Sequence, residues 1–296
     1  MKILNFGSLN IDYTYAVPHF VKAGETLSSS SLDVFSGGKG LNQSIAFKRC
    51  GVDIWHAGAV GEKDGGFLIE ELKAAGINAD LILKTEGQTG HAVIQKEAGG
   101  DNCILLYGGA NQSIPEEWVD KVIGDFGAGD WLVVQNEINH LAYIMEKAYQ
   151  VGMKIVLNPS PMNDKVLGCP LQYVDYFILN EVEAETLCPG DQREAGVLES
   201  LQKQFPKAAF ILTLGSRGSL YRAGVKEIHQ VIYQVPVVDT TAAGDTFTGY
   251  FFGSLVKGID VKEALVIASK AASMAVSKVG AVPSIPFWDE VMNDIN

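Results

Sequence analysis

The chain has 296 residues, 47% hydrophobic and 20% charged, with a formal charge of −12. Those proportions suit a soluble globular protein that buries most of its apolar surface without disulfides. The acidic balance argues against nucleic acid, whose phosphates need a basic footprint. No apolar run reaches the roughly 18 residues of a membrane span. Any anionic ligand must therefore be met by local donors, helix N-termini and metal ions.

Cys50, Cys103, Cys169 and Cys188 stand far apart, with no Cys-x-x-Cys pair. They read as reduced thiols of a cytoplasmic protein. The start, Met-Lys-Ile-Leu-Asn-Phe-Gly, lacks the features of a signal peptide and is expected to open directly into a strand.

The first hundred residues carry short alternating or β-branched runs at Lys2–Phe6, Ile54–Val60, His91–Lys96 and Asn102–Tyr107. The last two flank Glu-Ala-Gly-Gly-Asp, a hairpin cue. Ile11–Ala16 and Glu25–Phe35 are strand-prone with no helix between them. With the hairpin they are expected to form a small separate sheet. From about residue 117, apolar runs at Trp131–Gln135, Lys154–Leu157, Tyr176–Leu179 and Phe210–Thr213 alternate with helical stretches such as His140–Val151 and Glu194–Gln204. Buried strands separated by amphipathic helices imply βαβ units and a mainly parallel sheet. Gly244 to Lys278 reads as two helices broken near Gly258. No linker divides the chain, so one domain over residues 1–296 is expected. The five histidines (19, 56, 91, 140 and 229) share no face or spacing and are expected at the surface or in hairpins.

Four segments carry chemistry. In Asp239-Thr-Thr-Ala-Ala-Gly-Asp245, a strand ends, small residues turn and an apolar helix begins. Small residues expose backbone N–H groups, and the helix N-terminus adds positive potential, so Ala242, Ala243 and Gly244 can form an anion hole. Asp245 in the first turn can take a proton from an attacking hydroxyl. A plain N-terminal helix carboxylate reads equally well on this segment alone. In Ser36-Gly-Gly-Lys-Gly-Leu-Asn-Gln43, the Walker A spacing is absent. Gly37 and Gly38 let a polyol lie against bare backbone, and Asn42 can bond two hydroxyls; a tight turn with a solvated Lys39 is the alternative. Asn10 and Asp12 lie on one side of an extended chain, which suits vicinal hydroxyls; a plain capping role reads equally well on this segment alone.

Asn180-Glu-Val-Glu183 follows a strand, where acidic residues hold Mg²⁺ through water or simply cap a helix. Thr213-Leu-Gly-Ser-Arg-Gly218 is a glycine turn that suits either a nucleotide or a hairpin.

In this order and spacing, the four segments resemble the ribokinase-like (phosphofructokinase-B type) carbohydrate kinases, from Asn5 to about Pro286, with the ribokinase branch the most similar. Gly24-Glu25-Thr26, Gly108-Gly-Ala-Asn111, Asn158-Pro-Ser-Pro161 and Gly280-Ala-Val-Pro-Ser284 add to the likeness. The resemblance implies a three-layer α/β sandwich with a central mainly parallel sheet, and a small β-sheet lid from parts of 11–36 and 88–108. It implies transfer of phosphate from ATP to a sugar, D-ribose for that branch, and a homodimer formed through the lid. Asn10, Asp12, Gly38, Lys39, Asn42 and Glu137 then match sugar positions, and Asp245 the base. Asn180, Glu183, Thr213, Gly215, Ser216, Gly218, Gly244 and Ser269 match positions around the nucleotide, with Glu183 reaching Mg²⁺ through water. Asp239, Thr241, Ala275, Lys278, Gly280 and Ser284 match an activating K⁺ site. Tyr13, Thr14 and Tyr15 are bulkier than such a lid usually carries, which leaves fructose, deoxyribose or a nucleoside open as substrate. A catalytically silent sugar-binding regulator is the reading from another class. A Rossmann dehydrogenase fails, because no Gly-x-Gly-x-x-Gly follows the first strand.

Overall fold

The computed structural model describes residues 1–97, 99, 101–190 and 194–295. Its strands, in chain order, are β1 (Ile3–Phe6), β2 (Asn10–Val17), β3 (Ser31–Gly37), β4 (Trp55–Gly61), β5 (Asn78–Thr85), β6 (Gly90–Glu97) and β7 (Asn102–Tyr107). They continue with β8 (Trp131–Gln135), β9 (Lys154–Asn158), β10 (Tyr176–Asn180), β11 (Ala209–Thr213), β12 (Ser219–Ala223) and β13 (Lys226–Gln230). The helices are α1 (Lys39–Arg49), α2 (Gly66–Ala74), α3 (Glu116–Ile123), α4 (Leu141–Gln150) and α5 (Asp164–Leu167). After them come α6 (Glu181–Leu187), α7 (Glu194–Gln204), α8 (Ala243–Val256), α9 (Val261–Val276) and α10 (Trp288–Ile295).

Nine strands make the main sheet, in the order β13-β12-β11-β10-β9-β8-β1-β4-β5. The run from β11 to β5 is parallel, and β12 and β13 add an antiparallel edge. The period of two along each strand divides the interior into two cores. Ile3, Val133, Val156, Ile178 and Ile211 face α1, α2, α8 and α9. Leu4, Leu132, Leu157, Phe177 and Phe210 face the helices α3, α4, α6 and α7. The expected sandwich is therefore present, with helices on both faces of a mainly parallel sheet.

The remaining four strands pair separately as β3-β2-β6-β7, with β2 and β6 parallel. This small sheet stands where the polar front segments predicted one, but β3 begins only at Ser31. Residues from Gly24 onward fold locally instead: the Glu25 carboxylate accepts from Lys22 N–H (3.0 Å) and stands 2.9 Å from His19 Nε2, which keeps that stretch out of a ladder. The β6–β7 hairpin closes through Glu97 N–H to the Asp101 carbonyl at 3.1 Å. Ala98 and Gly100 of its expected turn lie outside the described residues.

His56 corrects the expectation for the histidines. It is fully buried in β4, with Nδ1 2.8 Å from Ser44 Oγ, and burial pushes its imidazole down to about 3. An alternating strand hid it, because a polar residue among apolar ones reads as the solvent face. Here both faces of β4 are covered.

Candidate active site

The parallel strands β1, β8, β10 and β11 end on one rim of the sheet, where open α/β folds bind ligands. Just past those ends lies a cavity of about 510 Å³. Asn10 and Asp12 enter it from β2, which leaves β1 after only three residues, Gly7 to Leu9. Gly38, Lys39 and Asn42 enter from the start of α1. Glu137, Asn180, Glu183 and Thr213 come from beyond β8, β10 and β11, and Ala242, Gly244 and Asp245 from the start of α8. The apolar Ala92, Ile94, Ile104 and Leu106 of the small sheet form the opposite wall.

Close helix approaches set this arrangement. The start of α1 docks on the end of β1, with Leu41 N–H donating to the Ser8 carbonyl at 3.0 Å. A Cβ on Gly40 would stand 2.4 Å from Ser8 N, so glycine is required there. α1 and α8 meet at Gly249, where a Cβ would fall 2.4 Å from Ala46 Cβ and 2.7 Å from Phe47 N. One turn earlier on each helix, that approach brings Asn42 and Gln43 against Asp245.

Asp245 is 8% exposed. Its Oδ2 accepts from Asn42 Nδ2 and its Oδ1 from Gln43 Nε2, each at 3.0 Å. Asn42 therefore spends its amide N–H on the carboxylate, and its Oδ1 is left without a protein partner. That oxygen and the second N–H of the amide are what Asn42 can offer to hydroxyls. Ala242, before the helix, holds a left-handed φ of 59°. The Ala243 N–H turns back on the Thr240 carbonyl at 3.3 Å, so the three-residue anion hole loses one donor. Among the described residues, the N–H groups of Ala242 and Gly244 have no acceptor. Nothing lies within 4 Å of where a Gly244 Cβ would be.

Charges crowd the polyol side. Glu137 Oε2 accepts from Ser8 Oγ in a short bond and from Lys39 N–H at 3.0 Å. Burial raises the Glu137 carboxyl. Asp12 is pushed up to about 7, first by burial, then by Glu137 and Asp245. Burial works against the Lys39 ammonium, but Asp245, Glu137 and Glu183 outweigh it and raise its pKa. Asn10 is held by Asn111, whose Nδ2 donates to Asn10 Oδ1 at 2.7 Å and whose Oδ1 accepts from Leu9 N–H at 3.0 Å. Asn111 had shown only as part of the Gly108–Asn111 likeness; its positioning role was missed.

Asn180 and Glu183 form a reciprocal capping box at the start of α6, with both bonds at 2.9 Å. The capping reading is thus realised, while both residues still line the cavity. Burial raises the Glu183 carboxyl. Thr213 to Gly218 is a true hairpin between β11 and β12, through a short turn at Gly215–Arg217. It nevertheless borders a second cavity of about 480 Å³, with Gly215, Ser216, Gly218 and Ser269 in its wall beside Tyr233, Val235 and Phe247. The two cavities share Thr213, Thr240 and Gly244. A two-part ligand can run from one to the other past the N-terminus of α8.

Of the six expected cation positions, Asp239, Thr241 and Gly280 come together. Asp239 Oδ1 accepts from Thr241 N–H (3.0 Å) and Oγ1 (2.6 Å), and Oδ2 from Gly280 N–H (3.3 Å). Ala275 and Lys278 flank Val276, whose carbonyl takes the N–H groups of Val238 and Asp239. Ser284 is bonded to Ala281. Lys96, from β6 of the small sheet, reaches Asp239 Oδ2 at 3.4 Å and was not foreseen. Burial alone would raise the Asp239 carboxyl; its bonds to Thr241 and Gly280, with Lys96, bring it below the usual range. Among the described residues, no group of three His, Cys, Asp or Glu is placed to cage a metal ion.

The chain belongs to the pfkB family of carbohydrate kinases: the pfkB family carbohydrate kinase profile matches residues 1–288. It is thus a phosphotransferase acting on a hydroxyl acceptor. It is 36% identical over 301 positions to a ribokinase of Staphylococcus aureus (strain COL), covering 98% of each chain. Its fold matches a ribokinase from Cryptococcus neoformans var. grubii serotype A in complex with ADP, with a TM-score of 0.86 and 32% identity over 99% of each chain. It also matches an Arabidopsis thaliana ribokinase complexed with ribose and ATP, with a TM-score of 0.86 and 28% identity, covering 100% of this chain and 98% of that one.

Proposed function

We propose that this protein phosphorylates D-ribose at the expense of ATP, giving ribose 5-phosphate and ADP. The observation that carries the reading is Asp245: a buried carboxylate in the first cavity, clamped by two amides, next to Gly244, which borders both cavities with an open backbone N–H. The sugar lies in the first cavity, its hydroxyls met by Asn10, Asp12, Asn42 and Glu137 and its ring by the apolar wall of the small sheet, which acts as a lid. The adenosine lies in the second. Asp245 takes the proton of the attacking hydroxyl, and the N–H groups of Ala242 and Gly244 with Lys39 meet the transferred phosphoryl oxygens. The full-length likeness to ribokinases supports ribose over other acceptors.

Glu183 fits the nucleotide's Mg²⁺ as a buried carboxylate facing the cavity, reaching an ion that keeps its waters. Mg²⁺ supplies charge neutralisation on the phosphates. The charge of Asp239 fits a monovalent cation, with Lys96 as a built-in competitor. A second copy fits the outer face of the lid, where Leu105 is 71% exposed and Tyr107, Leu32 and Val34 about half exposed. No helix among the described residues is long and apolar enough to cross a membrane. The four free thiols support a cytoplasmic setting.

The test is ADP release with ribose, deoxyribose, fructose and adenosine as acceptors, in Mg²⁺ and K⁺. Ribose should give the highest kcat/KM. A preference for another acceptor replaces the sugar assignment, and no ADP with any of them, despite thermal stabilisation by sugar, sinks the enzyme reading in favour of a binding protein.

A further inference from the structure

Behind Asp245 runs a line of buried polar side chains that the reaction itself does not touch. Gln43 Nε2 donates to Asp245 Oδ1 at 3.0 Å, and Gln135 Nε2 donates to Gln43 Oε1 at 2.7 Å. The same Gln135 nitrogen donates to Asn5 Oδ1 at 3.0 Å. Asn5 Nδ2 in turn donates to the Gly40 carbonyl at 2.7 Å and to Ser44 Oγ at 2.8 Å. Ser44 stands 2.8 Å from His56 Nδ1. Asn5, Gln43, Ser44, His56 and Gln135 are all fully buried.

From Asp245 to the Gly40 carbonyl, the direction of each amide bond in this line is fixed from both ends. A carboxylate and a backbone carbonyl can only accept. Asp245 therefore needs the nitrogen of Gln43, which turns the Gln43 oxygen toward Gln135. From the other end, the Gly40 carbonyl needs the nitrogen of Asn5, which turns the Asn5 oxygen toward Gln135 as well. Both demands are met by one nitrogen of Gln135. A flip of any amide in the line would set two acceptors against each other in a dry interior, where an unpaired polar group is costly.

We propose that Gln43 is a positioning residue for Asp245, and that Gln135 and Asn5 act on the reaction only by holding Gln43 with its nitrogen toward the carboxylate. The inference rests on Asp245 being the base. Asn42 secures the other oxygen, but Asn42 faces the cavity and answers to the substrate. Gln43 is 0% exposed and does not line the cavity, so its bond to Asp245 persists whether the site is empty or filled. It fixes the rotation of the carboxylate before a sugar arrives, and a small misplacement of a reacting group is expensive in rate.

The test is a double-mutant cycle with Gln43→Met and Gln135→Met, which keep side-chain length and remove the amides. Gln43→Met should lower kcat about 10- to 100-fold while the sugar KM stays within about threefold. Gln135→Met should lower kcat about three- to tenfold, since the Gln43 oxygen then loses its donor and the Gln43 side chain is no longer held in one rotation against Asp245. The double variant should be no slower than Gln43→Met alone, because Gln135 works through Gln43. Losses that multiply in the double variant, a wild-type kcat in folded Gln43→Met, or an effect confined to KM would each overturn the proposal. Should Gln43→Met fail to fold, Gln43→Leu removes the donor with a smaller side chain and should lose as much kcat. Asp245→Asn, run alongside, separates the two readings. If it keeps its turnover, the base assignment fails; if it is inactive while Gln43→Met is normal, only the positioning proposal fails.

Discussion

Asn42 and Asp245, 203 residues apart in sequence, meet through a 3.0 Å hydrogen bond that leaves the Asn42 carbonyl oxygen without a protein partner. One amide thus holds the proposed base and keeps a free acceptor beside the cavity. Asn42→Leu should therefore damage both parameters: kcat falls about tenfold and the sugar KM rises about tenfold, each near the worth of one charge-assisted or substrate hydrogen bond. Steady-state kinetics check this, and a change in KM alone would mean that Asn42 serves the sugar only.

Asp245→Asn should lower kcat by about 10²–10⁴ with little change in sugar affinity, since the amide keeps the shape and loses the basicity. Turnover for kcat and sugar-induced thermal shift for affinity separate the two effects.

Asp12 gives a pH dependence whose sign can be worked out. Its folded value, about 7, lies above the ordinary 3.8 because of burial and the neighbouring Glu137 and Asp245. The unliganded folded protein thus binds a proton there that the unfolded chain has already lost, and this contribution to stability fades as pH rises from about 4 through 7. Asp12→Asn should stabilise the unliganded protein at pH 8 by on the order of 2–3 kcal/mol and leave it little changed at pH 4. Denaturant melts at the two pH values measure the difference; equal shifts at both would contradict it.

Gly249→Ala should destabilise by about 1–3 kcal/mol, because the neighbours a new methyl meets are Ala46 and the Phe47 backbone, neither of which can swing aside. The same substitution should slow turnover, because separating α1 from α8 draws Asn42 and Gln43 away from Asp245. Urea melts and kcat on one preparation check both halves.

Lys96→Met should make the enzyme more responsive to K⁺, lowering the concentration for half-maximal rate about two- to fivefold, the worth of a partly exposed ion pair. An unchanged K⁺ titration would mean that Lys96 and the cation do not share Asp239.

Much of the architecture was readable because the parallel strands are buried on both faces. Trp131–Val134 and Tyr176–Leu179 are unbroken apolar runs with few other uses. The loops at Gly37–Asn42 and Ala242–Asp245 were readable because runs of small residues just ahead of a helix have few structural reasons to be there; among the described residues, the strand expected before Ala242 is absent, since none lies between Gln230 and α8. The bonds between those loops were not, since they depend on where α1 crosses α8, and periodicity says nothing of which two helices meet. Lys96 and Asp239 come from different sheets for the same reason. One signal for the buried line was present and passed over. Asn5 and Gln135 are amides inside otherwise apolar strands, where an unpaired polar group is costly and a partner must exist.

The topology of the small sheet bears on how the chain assembles. Its central ladder pairs Asn10 with Gly90 in parallel, and the intervening α1, β4, α2 and β5 all belong to the main body. That pairing encloses a long loop, whose closure entropy is lowest once the enclosed elements have docked. The small sheet should therefore be among the last parts to form and the first to open under mild denaturant. Amide exchange in β6 and β7 should run ahead of that in β8 to β11, while the body beneath stays folded. Asn10 and Asp12 lie on β2, so a partly opened molecule would keep Asp245 and its clamp but lose one wall of the cavity, with the two residues proposed to meet the sugar.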